Sequence, residues 1–284
     1  MKIYDKMFNG DVKGLDIILK TLEAKTYAIP GIIVNGDLSV TAMGESAYFY
    51  IQGAPSAAGS HVLGTKLTET SSGVKRISID LSTGYGLHTV IPFANYATVA
   101  PDVVEKKVAQ ESVKRANLFN EEFITALLAG ASAKTYTKTL VGLAAFLEAV
   151  GTFKVDNKAN AIKPTGALVT VAFYNALIND LKSRSTERTD GLLFDGSILT
   201  VSGIPVIECV DLTGVDFVLV HAEGVAAPIN VQTLNVVDAT AAGYPSGVLI
   251  SGEMGRGFKV VAFADQPVLG AGGYHVAKFT EALA

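Results

Sequence analysis

The chain has 284 residues, a formal net charge of −4, 49 % apolar and 18 % charged residues, 28 glycines and no tryptophan. This excludes a disordered chain, which needs low hydrophobicity and high net charge. It also excludes a basic nucleic-acid footprint and a disulfide scaffold, because Cys209 has no partner cysteine.

In chain order, Leu15, Ile18, Leu19 and Leu22 recur at helical spacing before Pro30 and Gly31. Residues 1–44 hold too little apolar material to fold alone and are expected to lie as an arm over something else. Residues 45–97 read as strands around a flexible middle. Tyr48, Phe49, Tyr50 and Ile51 have strand composition, residues 53–73 collect Gly, Ser, Ala and Thr, and Val74, Ile77 and Ile79 resume a strand. A two-stranded hairpin of this kind is marginal in water by itself, so the segment asks for a partner surface.

A long helix follows, with Pro101 at its first turn, Asp102 and Glu105 at the positive end of its dipole and Gly130 at its stop. Val104, Val108, Ser112, Ala116, Phe119, Phe123 and Leu127 form one stripe, and Lys106, Lys107, Gln110, Lys114, Asn117 and Glu121 fall opposite. From Thr139 the chain alternates short strands and helices. A helix is expected over 140–150, capped by Thr139 and closed by Gly151, and another over 173–181. Strands are expected over 167–171, 197–201, 206–210, 217–220, 231–237, 248–251, 258–263 and 273–279. The fold class is α+β, without a regular βαβ rhythm. The two longest charge-free windows, 46–65 and 81–101, carry Gln52, Pro55, His61, His88, Pro92 and Asn95, so neither reads as a membrane span. No signal peptide is visible, and the chain is expected to be made in the cytoplasm and to stay soluble or assembled there.

No catalytic constellation emerges. His61, His88, His221 and His275 lie far apart without metal-ligand spacing. His221, Ala222 and Glu223 match half of a zinc-deaminase signature, but no Pro-Cys-x-x-Cys follows. Ala133, Lys134 and Thr135 fall short of a phosphate-binding loop and read as the end of the long helix. The glycine clusters 84–86, 252–257 and 270–273 read as tight turns between strands. Asp80 and Asp211 each precede an interrupted aspartic-protease signature, with a residue inserted before the Ser-Thr-Gly or Thr-Gly. Glu121 and Glu122 sit about 100° apart on a helix and cannot share a proton. Cys209, in an apolar strand, reads as a buried small hydrophobe. No catalytic, cofactor-binding or metal-binding residue is therefore assigned, and no cofactor.

The order of these pieces resembles the tailed-phage major capsid proteins with the Hong Kong 97-type shell fold, which encapsulins share. The best-matching stretches are residues 74–80 leading into a helix over 97–130, the block LFDGSILTVSGIPVIE at 193–208, FVLVHAEGVA at 217–226 and GRGFKVVAF at 255–263. The resemblance implies an N-terminal arm over 1–44 and an extended loop over 45–97 that lies on a neighbouring subunit. It implies a peripheral domain from 98–138 and 255–284 carrying the spine helix, and an axial domain over 139–254. It implies a non-enzymatic virion protein that builds an icosahedral shell from pentamers and hexamers of itself, assembled in the host cytoplasm without a membrane. Its expected partners are a portal, a separate scaffolding protein and packaged double-stranded DNA held by non-specific contact. Lys66 and Lys75 fall in the loop region, but solvated lysine is the default there and no cross-link is expected. Two alternatives stay open: an encapsulin-type compartment shell, and an α/β enzyme or ligand-binding module with a pocket at Tyr85, His88 and Tyr96.

Overall fold

A computed structural model describes residues 20–22, 24–29, 31–33, 46–52, 74–91, 102–137, 142–158, 161–183, 199–243, 247–261 and 273–282. Strands β1 (Ser46–Gln52) and β2 (Val74–Asp80) form an antiparallel hairpin, paired from Ser46↔Asp80 to Gln52↔Val74. An Asx turn, with the Ser82 N–H donating to Asp80 Oδ1 at 2.8 Å, leads into β3 (Gly84–Ile91). The long helix α1 (Asp102–Gly130) has 29 residues and so runs to about 43 Å at 1.5 Å per residue. Then come β4 (Ser132–Tyr136), α2 (Leu143–Asp156), β5 (Gly166–Val169), α3 (Val171–Ser183), β6 (Leu199–Val201), β7 (Ile204–Glu208) and β8 (Phe217–Val220). The chain closes with β9 (Val225–Ala226), β10 (Ile229–Asp238), β11 (Val248–Arg256), β12 (Lys259–Val260) and β13 (Val276–Glu281). The α+β class expected from sequence is the class observed.

A mixed sheet in the order β4-β13-β8-β5-β7-β6 organises the chain. Its middle strands are apolar at consecutive positions because both of their faces are buried. Leu168, Val218, Val220 and Val276 point to one core, shared with α1 and with Ile229, Ile250 and Met254 of β10 and β11. Ala167, Val169, Phe217, Leu219, Ala277 and Phe279 point to a second core beneath α2 and α3, with Phe146, Phe153, Phe173 and Leu177. Phe217 is its aromatic centre, 4.5 Å from Phe173, 5.2 Å from Phe279 and 5.8 Å from Phe146 between ring centroids. A three-stranded sheet, β10-β11-β3, flanks the first core.

Helix α1 buries the stripe its sequence predicts: Val108, Ala116, Phe119, Phe123 and Leu127 are each at most 1 % exposed. Its first described residue is Asp102, and the start expected at residue 97 lies outside the described residues. Its end at Gly130 has a different cause from a left-handed cap. A Cβ there would stand 2.6 Å from Val260 Cβ, so glycine is required for the helix to meet β12.

Several expectations change. The segment around residues 20–33 is not an arm leaving its own subunit. Leu22, Ala28, Ile32 and Ile33 are buried in the first core, and polar contacts strap the segment across the molecule. The Tyr27 N–H donates to Asn120 Oδ1 at 3.0 Å, and Asn120 Nδ2 donates to Lys25 O at 2.9 Å. Farther along, the Val210 N–H donates to the Tyr27 hydroxyl at 3.2 Å and Thr165 Oγ1 to Gly31 O at 2.7 Å. The signal was present in the apolar residues Ala28, Ile29, Ile32 and Ile33, but sequence cannot say whose surface they cover.

Helix α2 runs through Gly151, whose added Cβ would meet nothing within 4 Å, so an exposed glycine costs propensity without stopping the helix. Its start is held by Asp180 of α3, whose Oδ2 accepts the Leu143 N–H at 3.0 Å, while Thr139 lies outside the described residues. Residues 132–136 form a strand, not a helix end. Gly84 and Gly86 lie inside β3, and Gly252 and Gly255 inside β11, where they pair across the sheet instead of turning. A Cβ on Gly84 would stand 2.4 Å from Met254 O, so close strand approach explains it. The turn between β6 and β7 is Ser202–Gly203, at φ 53° and 80°, the conformation that a two-residue hairpin demands. Among the described residues no helix is long and apolar enough to cross a membrane.

Asn120→Ala is expected to destabilise the subunit by about 1–3 kcal/mol, because the Tyr27 N–H and Lys25 carbonyl lose their partner. Urea unfolding gives the loss, and faster proteolysis within residues 20–33 locates it; an unchanged midpoint and cleavage pattern contradict the strap.

Candidate functional site

Helix α1 carries two acidic side chains toward the β3-β11 layer. Glu122 receives two hydrogen bonds from the Arg256 guanidinium, Nε to Oε2 and Nη2 to Oε1, the latter at 2.5 Å. The Tyr85 hydroxyl donates to Glu122 Oε2 at 2.8 Å, and Arg256 stacks 4.0 Å over the Tyr85 ring. The Arg256 hydrogen bonds hold the Glu122 carboxyl below its ordinary pKa, more than its partial burial raises it. Burial, then the Glu122 contact, pushes the Tyr85 phenol up.

About three helical turns away, Glu111 takes Arg115 at 2.5 Å, Lys114 at 3.2 Å and Lys107 at 3.3 Å. Arg115 Nη2 then donates to Gly86 O of β3 at 2.7 Å. Burial alone would raise the Glu111 pKa, but its three cationic partners bring it below the ordinary value. Glu122 ties helix to sheet directly and Glu111 does so through Arg115; with both pKa values lowered, neither has a proton to give at neutral pH.

The fold brings together two histidines that sequence left apart. The His221 and His275 rings stack at 5.4 Å and 13°. His221 Nδ1 lies 2.8 Å from Lys163 O, Nε2 lies 3.5 Å from Glu223, and the His221 N–H donates to His275 O at 2.7 Å. Gly224 belongs to this packing, since a Cβ there would stand 2.1 Å from the His275 ring. Burial, with a smaller push from His221, lowers the His275 pKa to about 4. The pair is a packed wall. Among the described residues no group of three or more His, Cys, Asp or Glu side chains is placed to hold a metal ion. His88 lies in β3 opposite Ser251, and His61 is outside the described residues.

Cys209 is 1 % exposed and burial pushes its thiol up to about 11, opposite to what a nucleophile needs. Lys134 of β4 pairs with Asp156 at 2.7 Å, which also accepts the Tyr274 hydroxyl at 2.8 Å. Of the pocket imagined at Tyr85, His88 and Tyr96, Tyr85 is spent on Glu122 and Tyr96 is outside the described residues. A concavity on α1, lined by Glu121, Glu122, Thr125, Ala126 and Ala129, is a shallow groove of about 400 Å³.

Arg76 covers the half-exposed Tyr48 ring at 3.9 Å on the hairpin, and Leu147, Val155, Val171 and Val210 are exposed on the six-stranded half. Single exposed apolar residues of this kind are ordinary on a protein surface.

No family model matches the chain, and no curated protein matches it. Solved structures do. The chain is similar to the capsid structure of the cyanophage P-SCSP1u at 15 % identity, covering 87 % of this chain and 86 % of that one, with TM-score 0.59. Mycobacterium phage Bobi matches at 11 % identity, over 93 % and 91 %, with TM-score 0.53. The capsid of an empty GTA particle matches at 13 % identity, over 87 % and 88 %, with TM-score 0.54. The fold is thus one that phage structures share. More particularly, it is the fold of the cyanophage and GTA capsid structures, over most of the chain.

The His275 assignment has a pH consequence. Its folded pKa is below the unfolded 6.5, so the unfolded chain binds the proton first and stability falls as pH drops from 6.5 towards 4. The fall is up to about 1.4 kcal/mol per pH unit. Comparing urea midpoints of the unaltered chain and His275→Leu across that range checks it; parallel curves contradict it.

Proposed function

We propose that this chain is the major capsid protein of a tailed double-stranded DNA bacteriophage, with the Hong Kong 97-type version of the shell fold and no catalytic or metal site. The observation that carries the reading is that the likeness to capsid structures extends over 87 % of the chain and 86 % of the cyanophage one, so it covers a whole subunit and not a shared motif. The hairpin β1–β2 is the loop that lies on a neighbour, and α1 is the spine. The peripheral part is α1 with β3, β10 and β11, because their side chains share one core. The axial part is the six-stranded sheet with α2 and α3, and β13 belongs there by its pairing with β4 and β8. That redraws the boundaries expected from sequence, which counted β3 in the extended loop, β10 and β11 up to residue 254 as axial, and β13 as peripheral.

In this reading pentamers and hexamers close an icosahedral shell in the host cytoplasm, with a portal and a separate scaffolding protein, around DNA held by non-specific contact. The net charge of −4 over 284 residues supports it, because many identical subunits must pack without strong mutual repulsion.

Removing residues 53–73 and joining β1 to β2 by a two-residue turn is expected to leave a folded, soluble subunit or small oligomer that cannot close shells. Electron microscopy beside sizing in solution checks this. Normal particles from the shortened chain would remove the loop assignment, and an unaltered chain that stays monomeric at high concentration would remove the capsid reading.

A further inference from the structure

The six-stranded half carries two exposed apolar patches of opposite charge. On α2, Leu147, Gly151 and Val155 fall at i, i+4 and i+8, one face of the helix. Leu147 is 43 % and Val155 71 % exposed. Lys154 lies on the same face and Lys158 follows just past the helix end; both are exposed, with no ion pair among the described residues. The acids of α2 do not neutralise them: Glu148 accepts from Thr137 Oγ1 at 2.8 Å and Asp156 is held by Lys134 and Tyr274.

The second patch lies where β5 and β7 end. Val169 and Glu208 are register partners on parallel strands, and the Cys209 N–H donates to Val169 O at 2.8 Å. Val171 and Val210 each stand two residues beyond this last register pair, 38 % and 68 % exposed. Glu208 and Asp211 flank Val210, also without an ion pair among the described residues. An apolar centre with a charged rim is the anatomy of a protein interface.

We infer that the basic face of α2 (Leu147, Lys154, Val155, Lys158) docks on the acidic sheet end (Val171, Glu208, Val210, Asp211) of a second copy of this chain. The occupant is chosen by complementarity: each patch supplies what the other lacks, two valines or a leucine and a valine to be covered, and two charges to be paired. Two different patches on one subunit make a head-to-tail contact, which closes into rings when the rotation permits. The inference rests on the capsid reading and names the surfaces that would join subunits within a ring.

The test is a charge swap in the full chain. Lys154→Glu with Lys158→Glu, and separately Glu208→Lys with Asp211→Lys, should each lower particle yield about tenfold or more, through like charges facing each other. The four substitutions together should restore it. Lys154→Gln with Lys158→Gln should fall between the unaltered and reversed chains. All are surface changes, and thermal melts identify any that harm the subunit. Normal yield from a reversed pair, or no recovery in the swap when its subunits melt like the unaltered chain, overturns the pairing and leaves the capsid reading standing. An unaltered chain that forms no particles overturns the capsid reading, and this inference with it.

Discussion

Strands β5, β8 and β13 are covered on both faces, and the rest of the structure depends on that. Side chains alternate across a strand, so Phe217 and Leu219 serve one core while Val218 and Val220 serve the other. A slip of one residue would exchange both sets at once, placing rings where α1 needs branched aliphatics. Register is thus specified twice. The layer order follows: α2 and α3 must cover the Phe217 side, and α1 must cover the Val218 side. Lys278 shows the same constraint at a polar position, reaching towards α1 to donate to Leu128 O at 3.1 Å. The two halves cannot part without exposing one face of a shared sheet.

Polar contacts then fix what apolar packing leaves free. A helix lying on a smooth face can rotate or slide, whereas Glu122 against Arg256 and Tyr85, Arg115 against Gly86 O, and Asn120 against Tyr27 and Lys25 each hold at one geometry. The net contribution of such partly exposed ion pairs is small. Their directionality is the larger effect, since leaving one partner buried and alone costs more than the pair contributes. Asn120, 5 % exposed, draws the N-terminal strap over α1 and so ties the first residues described to the middle of the chain.

Much of this was legible in sequence where period and composition agree. The stripe of α1 and the strand Phe217–Val220 appear where the pattern puts them, and the order of elements carried the family resemblance. Features set by long-range approach were not legible. Gly84 and Gly130 look like turn or stop residues until the carbonyl of Met254 and the side chain of Val260 come within contact. Gly151 looked like a stop but sits where nothing presses on it. His221 and His275 are 54 positions apart in sequence, and only the β8–β13 pairing stacks their rings. The strap was misread for the same reason: apolar residues announce that they will be buried, not on which copy.

The hairpin separates internal from external stabilisation. Its base is secured within the subunit, where Ala47, Ile77 and Ile79 pack with Leu81, Ala226 and Val261. Gly257 permits the contact, since a Cβ there would stand 2.4 Å from Ile79 Cγ2. From that base seven residue pairs extend about 24 Å. A two-stranded ribbon gains little stability of its own in water, so the farther a pair lies from the base, the more its order depends on a surface outside the ribbon. Such contacts are individually weak, because ordering the ribbon offsets most of what its burial contributes. In the proposed shell such weakness would suit assembly: a misplaced subunit could leave, while a correctly placed one would be held by several neighbours at once. A chain rigid at its sheet, with a ribbon that reaches beyond its own core, would on the proposed reading meet both requirements, a defined building block and a reversible joint.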